Sequence, residues 1–186
     1  MSISTNDLKN GMALDLPEGL VNVVEFQHVK PGKGGAFVRT KLKNVRTGAV
    51  LDRTFRADEK VTLAMIDKRE MQFLYREAAD YVFMDNESYD QLHVSPESIG
   101  DAVKYLKEGD TAVLPMYKSE IVGVELPAAV ELTVAETEPG MQGDRVSGAR
   151  KPAKLETGLV VQVPLFVNVG DRVKVDTRSS DYLSRA

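Results

Sequence analysis

The sequence contains no cysteine and only two histidines, His28 and His93, among its 186 residues. The absence of cysteine excludes disulfide scaffolds, thiolate metal ligands and cysteine nucleophiles, and it fits a reducing cytoplasm. Neither histidine has a partner at a spacing typical of a metal or catalytic site. The sequence therefore predicts no bound metal ion and no cofactor.

Long apolar segments are also missing. No run of about 18 apolar residues occurs, so no segment is predicted to span a bilayer. The N-terminal stretch MSISTNDLKNG lacks the basic region and the apolar stretch of a signal peptide. We therefore expect a cytoplasmic protein with no membrane partner.

Familiar catalytic motifs are absent as well. The sequence has no G-x-S-x-G, H-E-x-x-H or P-loop pattern. Residues 32–35 are rich in glycine, but no helix is predicted after them, so the phosphate-binding helix N-terminus is missing. Asp85 and Glu87 resemble a carboxylate pair, yet they lie in an acidic run that favours a solvated face. We expect that the protein is not an enzyme.

Charge is distributed unevenly along the chain. The formal net charge is -4, which argues against a general nucleic-acid binder. Residues 1–65 carry ten Lys/Arg and seven Asp/Glu, residues 66–127 carry six and thirteen, and residues 128–186 carry eight of each. The first segment is therefore basic, the second strongly acidic and the third neutral.

The basic surplus is concentrated in residues 30–46, which contain six basic residues and no acidic one. These residues, here called the basic stripe, are Lys30, Lys33, Arg39, Lys41, Lys43 and Arg46. A cationic stripe on an otherwise acidic protein can attract a polyanion. The alternative, which charge by itself favours, is a solvated strand face that carries lysines.

Short strands are predicted along nearly the whole chain, because apolar and β-branched runs alternate with Gly, Pro and Asp. Within residues 36–45, Phe37, Arg39, Lys41 and Lys43 share one side of a strand. The predicted strands cover residues 20–29, 36–45, 49–56, 61–66, 71–75, 81–84, 111–114, 121–126, 130–135, 159–163 and 172–176. This spacing is typical of small barrels or sandwiches.

Helix is scarce in the prediction. The spacing of Ile99, Val103 and Leu106 predicts one helix over residues 98–107, and a helical turn is predicted at residues 5–8. This is too little helix for a parallel α/β sheet.

A weak internal repeat suggests how the chain is divided. Residues 106–113 resemble residues 167–174, and in each a Gly-Asp turn leads into a strand. Pro127 marks a break between two predicted strands. We therefore predict three domains, at residues 1–65, 66–127 and 128–186.

Two loops are candidates for function. Residues 30–36 read KPGKGGA between two predicted strands, so they form a tight protruding loop with Lys33 in its middle. Residues 138–152 form a longer loop rich in Gly and Pro, and loops of this length are commonly functional or disordered. The alternative in both cases is an ordinary surface loop.

At these residues the sequence resembles the bacterial elongation factor P family. Residues 30–36 match the family's K-P-G-K-G-x-A tip, and residues 151–164, KPAKLETGLVVQVP, match its C-terminal signature. The resemblance extends over essentially the whole chain. It implies an all-β fold of three small β-barrels in series, namely an SH3-like, KOW-type domain that carries the Lys33 loop and two OB-fold domains.

The resemblance also implies a function. The family binds the ribosome between the peptidyl-tRNA and exit sites, and it promotes peptide-bond formation at stalled consecutive prolines by positioning peptidyl-tRNA. We expect a monomer that contacts both ribosomal subunits. A lysine-modifying enzyme acting on Lys33 is a further expected partner. The loop fits a β-lysyl group, an alkyl-alcohol extension or no modification at all.

The resemblance assigns candidate residues by position. Lys33 is the functional tip, and the residues that support it are Lys30, Pro31, Gly32, Gly34 and Gly35. The RNA-binding candidates are Arg39, Lys41, Lys43, Arg46, Arg145, Arg150, Lys151, Tyr182 and Arg185. Residues 143–149 read GDRVSGA where the family commonly reads G-D-T-x-S-G-G, so contacts of this loop depart from the family pattern.

Two other functions remain open at this point. One is an elongation factor P-like paralogue that acts at a different step. The other is a KOW/OB nucleic-acid-binding adaptor outside elongation, in which Lys33 is one phosphate contact among several.

Overall fold

The computed structural model describes residues 1–140 and 148–186. Short β-strands dominate this part of the chain. They are β1 (Ser2–Ser4), β2 (Ala13–Leu16), β3 (Gly19–Val29), β4 (Phe37–Asn44), β5 (Val50–Arg56), β6 (Lys60–Leu63), β7 (Asp67–Glu77), β8 (Asp80–Asp85), β9 (Gln91–Val94), β10 (Thr111–Tyr117), β11 (Glu120–Ile121), β12 (Ala129–Thr137), β13 (Arg150–Leu155), β14 (Val160–Pro164), β15 (Arg172–Asp176) and β16 (Tyr182–Arg185). The predicted all-β class is confirmed.

Three sheets contain these strands. The first has the order β1-β6-β2-β3-β4-β5, the second β11-β10-β7-β8-β9, and the third β14-β13-β12-β15-β16. Neighbours such as β3 and β4, or β12 and β15, run antiparallel. Three sheets that follow one another in chain order agree with the predicted series of small β folds. The exact domain boundaries at residues 65 and 127 stay a prediction.

The chain forms two compact units. Unit 1 consists of Met1–Lys68 and Pro115–Gly123, and unit 2 consists of Arg69–Leu114 and Val124–Ala186. The short segment around β11 belongs to unit 1 because Val122 packs in one buried cluster with Ala13, Leu20 and Ala64.

Unit 1 is built around an apolar core that includes Leu14, Leu42 and Phe55. Side chains along β4 alternate between this core and solvent, so that Val38, Thr40 and Leu42 are buried. The intervening residues Arg39, Lys41 and Lys43 are exposed. The prediction that these basic residues share one side of a strand is therefore confirmed.

The apolar core around the third sheet in unit 2 includes Leu132, Val163 and Val173. Tyr105, which precedes β10, is buried in the same cluster. Its hydroxyl forms a hydrogen bond with Ser180 Oγ. Thr157 Oγ1 also donates a hydrogen bond to the carbonyl of Lys104. The segment around Tyr105 is thereby attached to the core of the third sheet.

The helical prediction was only partly correct. The predicted turn at residues 5–8 is a 3-10 helix over Thr5–Asp7. The predicted helix at residues 98–107 is instead a short helix α1 (Pro96–Ile99) followed by a 3-10 helix (Gly100–Lys104). Gly100 has φ +52°, which ends α1 after one turn. No helix among the described residues is long and apolar enough to cross a membrane.

Strand predictions failed where polar residues break the apolar pattern. The short strands β1, β2, β9, β13 and β16 were not predicted. Conversely, the predicted strand at residues 121–126 is only the two-residue β11 followed by an isolated bridge between Val113 and Glu125. Pairing with a neighbouring strand, rather than local apolar content, defines these elements.

Candidate functional site: the Lys33 loop and the adjoining sheet face

The loop of residues 30–36 joins β3 to β4. Val29 and Phe37 pair at the last position of this hairpin, so the loop leaves and rejoins the sheet at one place. Residues 30–35 are all exposed. Gly34 has φ +106°, a conformation that other residues rarely adopt, whereas a Cβ added at Gly32 would meet no atom within 4 Å. The path of the loop therefore depends on glycine at position 34.

Lys33 is exposed at the middle of this loop. Within residues 1–140 and 148–186, its ammonium takes part in no hydrogen bond and no ion pair. Its chain neighbours on both sides are glycines, so no adjacent side chain covers the charge. An ammonium in this position is a mobile point charge on a flexible stem, available to an anionic partner.

The outer face of β3, β4 and β5 carries the basic stripe, and its charge is uneven. The register places Lys41 opposite Glu25 of β3 and Asp52 of β5. Lys41 Nζ lies 3.8 Å from Glu25 Oε2. Neighbouring strands therefore supply the acidic groups that residues 30–46 themselves lack. At Lys41 the positive charge is balanced within the sheet.

Arg46 and Lys43 differ in whether a carboxylate lies close enough to balance their positive charge. Arg46 Nη2 lies 3.4 Å from Glu120 Oε2, so Arg46 has a carboxylate partner within unit 1. Lys43 stands opposite Asn22 and Val50, neither of which is charged. Lys43 therefore keeps an unbalanced charge. Because the side chains of Arg46 and Lys43 are both exposed, the presence or absence of an ion pair changes the stability of the fold little.

Arg39 lies at the end of the stripe next to the Lys33 loop. The residues opposite it, Gln27 and Thr54, are uncharged. Its guanidinium carbon lies 5.5 Å from the centre of the Phe37 ring, a cation–π geometry. Phe37 in turn stands opposite Arg56. The unbalanced cations of the sheet face are therefore most numerous beside the loop.

Three family models match consecutive parts of the chain. The elongation factor P (EF-P) KOW-like domain matches residues 4–61, the EF-P OB domain residues 66–124, and the elongation factor P C-terminal model residues 130–185. Proteins named elongation factor P from Acidothermus cellulolyticus and Streptomyces avermitilis are each 61% identical to this chain over 183 residues. The alignments cover 98% of this chain and 98% and 97% of those two relatives. The chain belongs to the elongation factor P family.

Solved structures with a similar fold come from the factor 5A family. Translation initiation factor 5A from Methanococcus jannaschii has a TM-score of 0.55 at 22% identity, covering 67% of this chain and 93% of that one. A factor 5A family protein from Naegleria fowleri has a TM-score of 0.54 at 14% identity, covering 68% and 98%. At these identities the likeness shows the fold alone.

Membership of the elongation factor P family makes this chain a translation elongation factor rather than an enzyme. Among residues 1–140 and 148–186, no group of three or more His, Asp or Glu side chains is placed to hold a metal ion.

The candidates in the segment matched to the elongation factor P C-terminal model differ among themselves. Arg145 lies outside the described residues. Arg150 is exposed at the start of β13. Lys151 is only 6% exposed, and its ammonium donates a hydrogen bond to the carbonyl of Glu138. Because this ammonium is satisfied inside unit 2, we do not retain Lys151 as an RNA contact.

The two candidates in β16 also have partners within unit 2. Tyr182 is half-buried and packs against the core of the third sheet. Arg185 Nη2 lies 3.3 Å from Asp171 Oδ1, and its guanidinium carbon lies 5.8 Å from the centre of the exposed Phe166 ring. Arg185 can still meet a partner, but only as a cation that already has a carboxylate beside it.

Asp85 corrects one of the sequence predictions. It is 2% exposed, so the prediction of a solvated acidic face is wrong at this residue. Its carboxylate accepts hydrogen bonds from the backbone N–H groups of Glu87 and Ser88 and from Arg69 Nη1 at 3.0 Å. The bond from Glu87, followed by the one from Arg69, holds the pKa of the Asp85 carboxyl below its ordinary value. Asp85 is a structural cap for the turn between β8 and β9.

Sequence reasoning missed one charged cluster in unit 1. Tyr117 donates its hydroxyl hydrogen to Asp15 Oδ2 at 2.8 Å, and Lys118 Nζ lies 3.5 Å from the same oxygen. The hydrogen bond to Asp15 raises the pKa of the Tyr117 phenol. The negative charges of an ionised Tyr117 and of Asp15 raise the pKa of Lys118. Asp15 and Tyr117 are 102 positions apart in the chain, so no local pattern indicates this cluster.

Proposed function

We propose that this elongation factor binds the ribosome between the peptidyl-tRNA and exit sites and promotes peptide-bond formation at consecutive prolines. The observation that carries the proposal is the exposed Lys33, an unpaired cation at the tip of a glycine-rich loop. Family membership supports a role in elongation, and the tip supplies the group that would reach peptidyl-tRNA.

The proposed mechanism is positional. Among residues 1–140 and 148–186, no side chain forms a hydrogen bond or an ion pair with the Lys33 ammonium, so we infer that Lys33 acts as a positioned cation. Proline reacts poorly because its ring restricts the geometry of the reacting ends. Ordering peptidyl-tRNA near its reacting end lowers the entropic part of that barrier, and orientation effects of this kind are large in chemistry. An ammonium on a flexible stem suits contacts with phosphate and sugar near the tRNA end.

The expected partners follow from this role. The factor would act as a monomer in the cytoplasm, contacting both ribosomal subunits and peptidyl-tRNA. Lys33 is exposed and lies between two glycines, so it is also accessible to a lysine-modifying enzyme. An intact mass larger than the sequence mass, localised to the peptide that contains Lys33, would reveal such a modification.

The experiment that tests the proposal is translation of two reporters that differ only in a run of prolines, with and without the factor. We expect the factor to raise synthesis of the proline reporter and to leave the other unchanged. Lys33→Ala should abolish this effect without changing the melting temperature, since exposed substitutions usually alter stability by less than about 0.5 kcal/mol. Lys60→Ala, at an exposed lysine on β6, is the matched control and should act like the unsubstituted factor.

Equal stimulation of both reporters would contradict the proposal. It would favour the alternative of a nucleic-acid-binding adaptor that acts outside proline stalling. Full activity of Lys33→Ala on the proline reporter would show that the tip residue is not the acting group.

A further inference from the structure

Within unit 2, a short connection over residues 124–128 joins the second sheet to the third, and it is anchored on both sides. Glu125 pairs with Val113 of β10 through two backbone hydrogen bonds of 2.7 and 3.1 Å. The carbonyl of Pro127 accepts a hydrogen bond of 2.6 Å from Thr177 Oγ1, beyond the end of β15. A single residue therefore separates the anchor on the second sheet from the anchor on the third.

Tyr105 forms a second attachment between the same two sheets. It precedes β10 in the chain, yet it is 7% exposed and lies in the apolar cluster of the third sheet. Its hydroxyl forms a hydrogen bond with Ser180 Oγ. One residue earlier, the carbonyl of Lys104 accepts a hydrogen bond of 2.5 Å from Thr157 Oγ1. The side chain of Tyr105 is therefore held by the third sheet.

The other end of this segment is held by the second sheet. The backbone N–H of Gly109 donates to the carbonyl of Phe73 at 2.7 Å, and the N–H of Phe73 donates to the carbonyl of Asp110 at 2.8 Å. Gln72 Nε2 also donates to the carbonyl of Gly109, at 3.0 Å. Residues 104–110 therefore bridge the two sheets, with third-sheet contacts at one end and second-sheet contacts at the other.

Both attachments end on one turn of the third sheet, residues 177–181, between β15 and β16. Thr177 holds the connection, and Ser180 meets Tyr105. Asp176 Oδ1 accepts hydrogen bonds from two backbone N–H groups of this turn, at 2.8 and 3.0 Å, and such bonds fix a turn in one conformation. The turn is therefore a firm anchor for both attachments.

The junction between the two sheets is not closely packed along its whole length. A cavity of about 430 Å³ lies there, lined by residues of both attachments, such as Lys107 and Pro127, and by Glu131 and Lys174 on β12 and β15. Close packing therefore does not prevent one sheet from turning against the other at this cavity. A few residues are enough to act as a hinge, so the connection by itself would permit such a turn. A second attachment at Tyr105 opposes it.

We propose that Tyr105 is a positioning residue, which holds the third sheet in one orientation against the second sheet so that ribosome contacts of the third sheet also restrain the rest of unit 2. The inference rests on the proposed function, and it assumes that the third sheet supplies part of the contacts with the ribosome. Two sets of contacts on one partner reinforce each other through their effective concentration, which falls when the link between them is loose. Loss of the Tyr105 attachment should therefore weaken binding and leave the action of the bound factor intact.

The first part of the test measures NMR residual dipolar couplings of the full-length factor without ribosomes. In the unsubstituted factor, one alignment tensor should fit the backbone amides of β7–β9 together with those of β12–β16. Tyr105→Ala removes the ring and both of its contacts. The double variant Tyr105→Phe, Thr157→Val removes the two hydrogen bonds but keeps the ring, so it decides the matter if Tyr105→Ala does not fold. We expect each folded variant to require a separate tensor for the third sheet.

The second part measures rescue of the proline reporter against the concentration of the factor. We expect the double variant to raise the concentration needed for half-maximal rescue about fivefold, the factor that corresponds to roughly one net hydrogen bond. The plateau at saturating factor should stay unchanged, because the Lys33 loop is intact.

Two matched controls separate positioning from stability. Tyr81→Phe makes the same chemical change at a buried tyrosine of the second sheet, and Asp85→Asn removes a stabilising carboxylate from the turn between β8 and β9. Both controls should keep one alignment tensor for the two sheets and the half-maximal concentration of the unsubstituted factor.

One tensor that fits both sheets in a folded variant at Tyr105 would overturn the proposal. A half-maximal concentration raised as much by Asp85→Asn as by the double variant would overturn it as well, since the effect would then follow stability. A lowered plateau in the double variant would also contradict it. If the factor does not stimulate the proline reporter at all, the proposed function fails, and the tensor measurement still decides whether Tyr105 holds the two sheets together.

Discussion

The Lys33 loop in unit 1 and the third sheet in unit 2 both combine a Gly/Pro-rich loop with basic residues in the sequence. Their basic side chains differ in whether they have partners within their own unit. In the first, Lys33, Lys43 and Arg39 have no carboxylate partner in the described structure. In the third sheet, Lys151 donates to a carbonyl inside the unit, and Arg185 lies beside Asp171. A Gly/Pro-rich loop flanked by basic residues therefore does not by itself indicate an anion-binding surface. What decides is whether neighbouring strands supply the counter-charges.

The largest expected effect concerns Lys151. Lys151→Ala removes a buried side chain and leaves the Glu138 carbonyl without its donor, so we expect a loss of about 1–3 kcal/mol in the free energy of unfolding. Arg150→Ala, one residue earlier at an exposed position, should change it by less than about 0.5 kcal/mol. Chemical denaturation of both variants measures this. Equal stability of the two would remove the distinction between structural and free cations in β13.

The second expected effect concerns the glycines of the Lys33 loop. Gly34→Ala forces a Cβ into a backbone with φ +106°, whereas Gly32→Ala meets open space. We expect Gly34→Ala to cost roughly 1–2 kcal/mol or to shift the loop, and Gly32→Ala to cost less than half of that. Proline-reporter activity and melting temperature are the two readouts. If Gly32→Ala impairs activity as strongly as Gly34→Ala, the loop's conformation is not what positions Lys33.

A third prediction compares a buried acidic residue, Asp85, with an exposed one, Glu87. The pKa of Asp85 is lowered in the folded chain, so its ionised form contributes stability above the unfolded pKa, which is lost as pH falls through the folded value. Asp85→Asn should therefore lower the melting temperature at pH 7, and the difference should shrink below about pH 4. Glu87→Gln, at an exposed neighbour, should show no such pH dependence. A constant difference across pH would contradict the assignment of the cap to the ionised carboxylate.

The smallest expected effect is on salt dependence. Lys43 faces uncharged neighbours, whereas Lys41 faces Glu25 and Asp52. Lys43→Gln should reduce the slope of log affinity for ribosomes against log salt by about one, as for one lost phosphate contact, while Lys41→Gln should reduce it by less. The reverse order would show that the carboxylates beside Lys41 do not balance its charge.

These contrasts also mark what the sequence could predict. The alternation along β4 and the exposed tip at Lys33 follow from local patterns, because period-two side chains and glycine punctuation are local properties. The partners of Lys41 lie on β3 and β5, and only the register of the sheet reveals them. The register of a sheet depends on residues that are distant in the sequence. Counting charges along one segment therefore overstates how much positive charge is left without a carboxylate partner.

The burial of Lys151 and the early end of the predicted helix are two further features that local sequence patterns did not predict. Lys151 belongs to a segment recognised as a family signature, and its inward position in β13 depends on pairing with β12 and β14. The predicted helix at residues 98–107 had the right apolar spacing, but Gly100 adopts a positive φ that ends it early. Apolar spacing indicates a helix, but a glycine with positive φ can end that helix before the apolar pattern ends.

The most direct test of the account is a titration of the factor against synthesis of the proline reporter, with variants from the two regions. Lys33→Ala should lower the plateau at saturating factor, because the proposed role of the tip is exerted in the bound complex. The double variant Arg150→Ser, Arg185→Ser should raise the concentration needed for half-maximal rescue and leave the plateau close to that of the unsubstituted factor, because the proposed role of these residues is docking alone. A normal plateau for Lys33→Ala, or a lowered plateau for the double variant, would contradict the division of roles between the two regions.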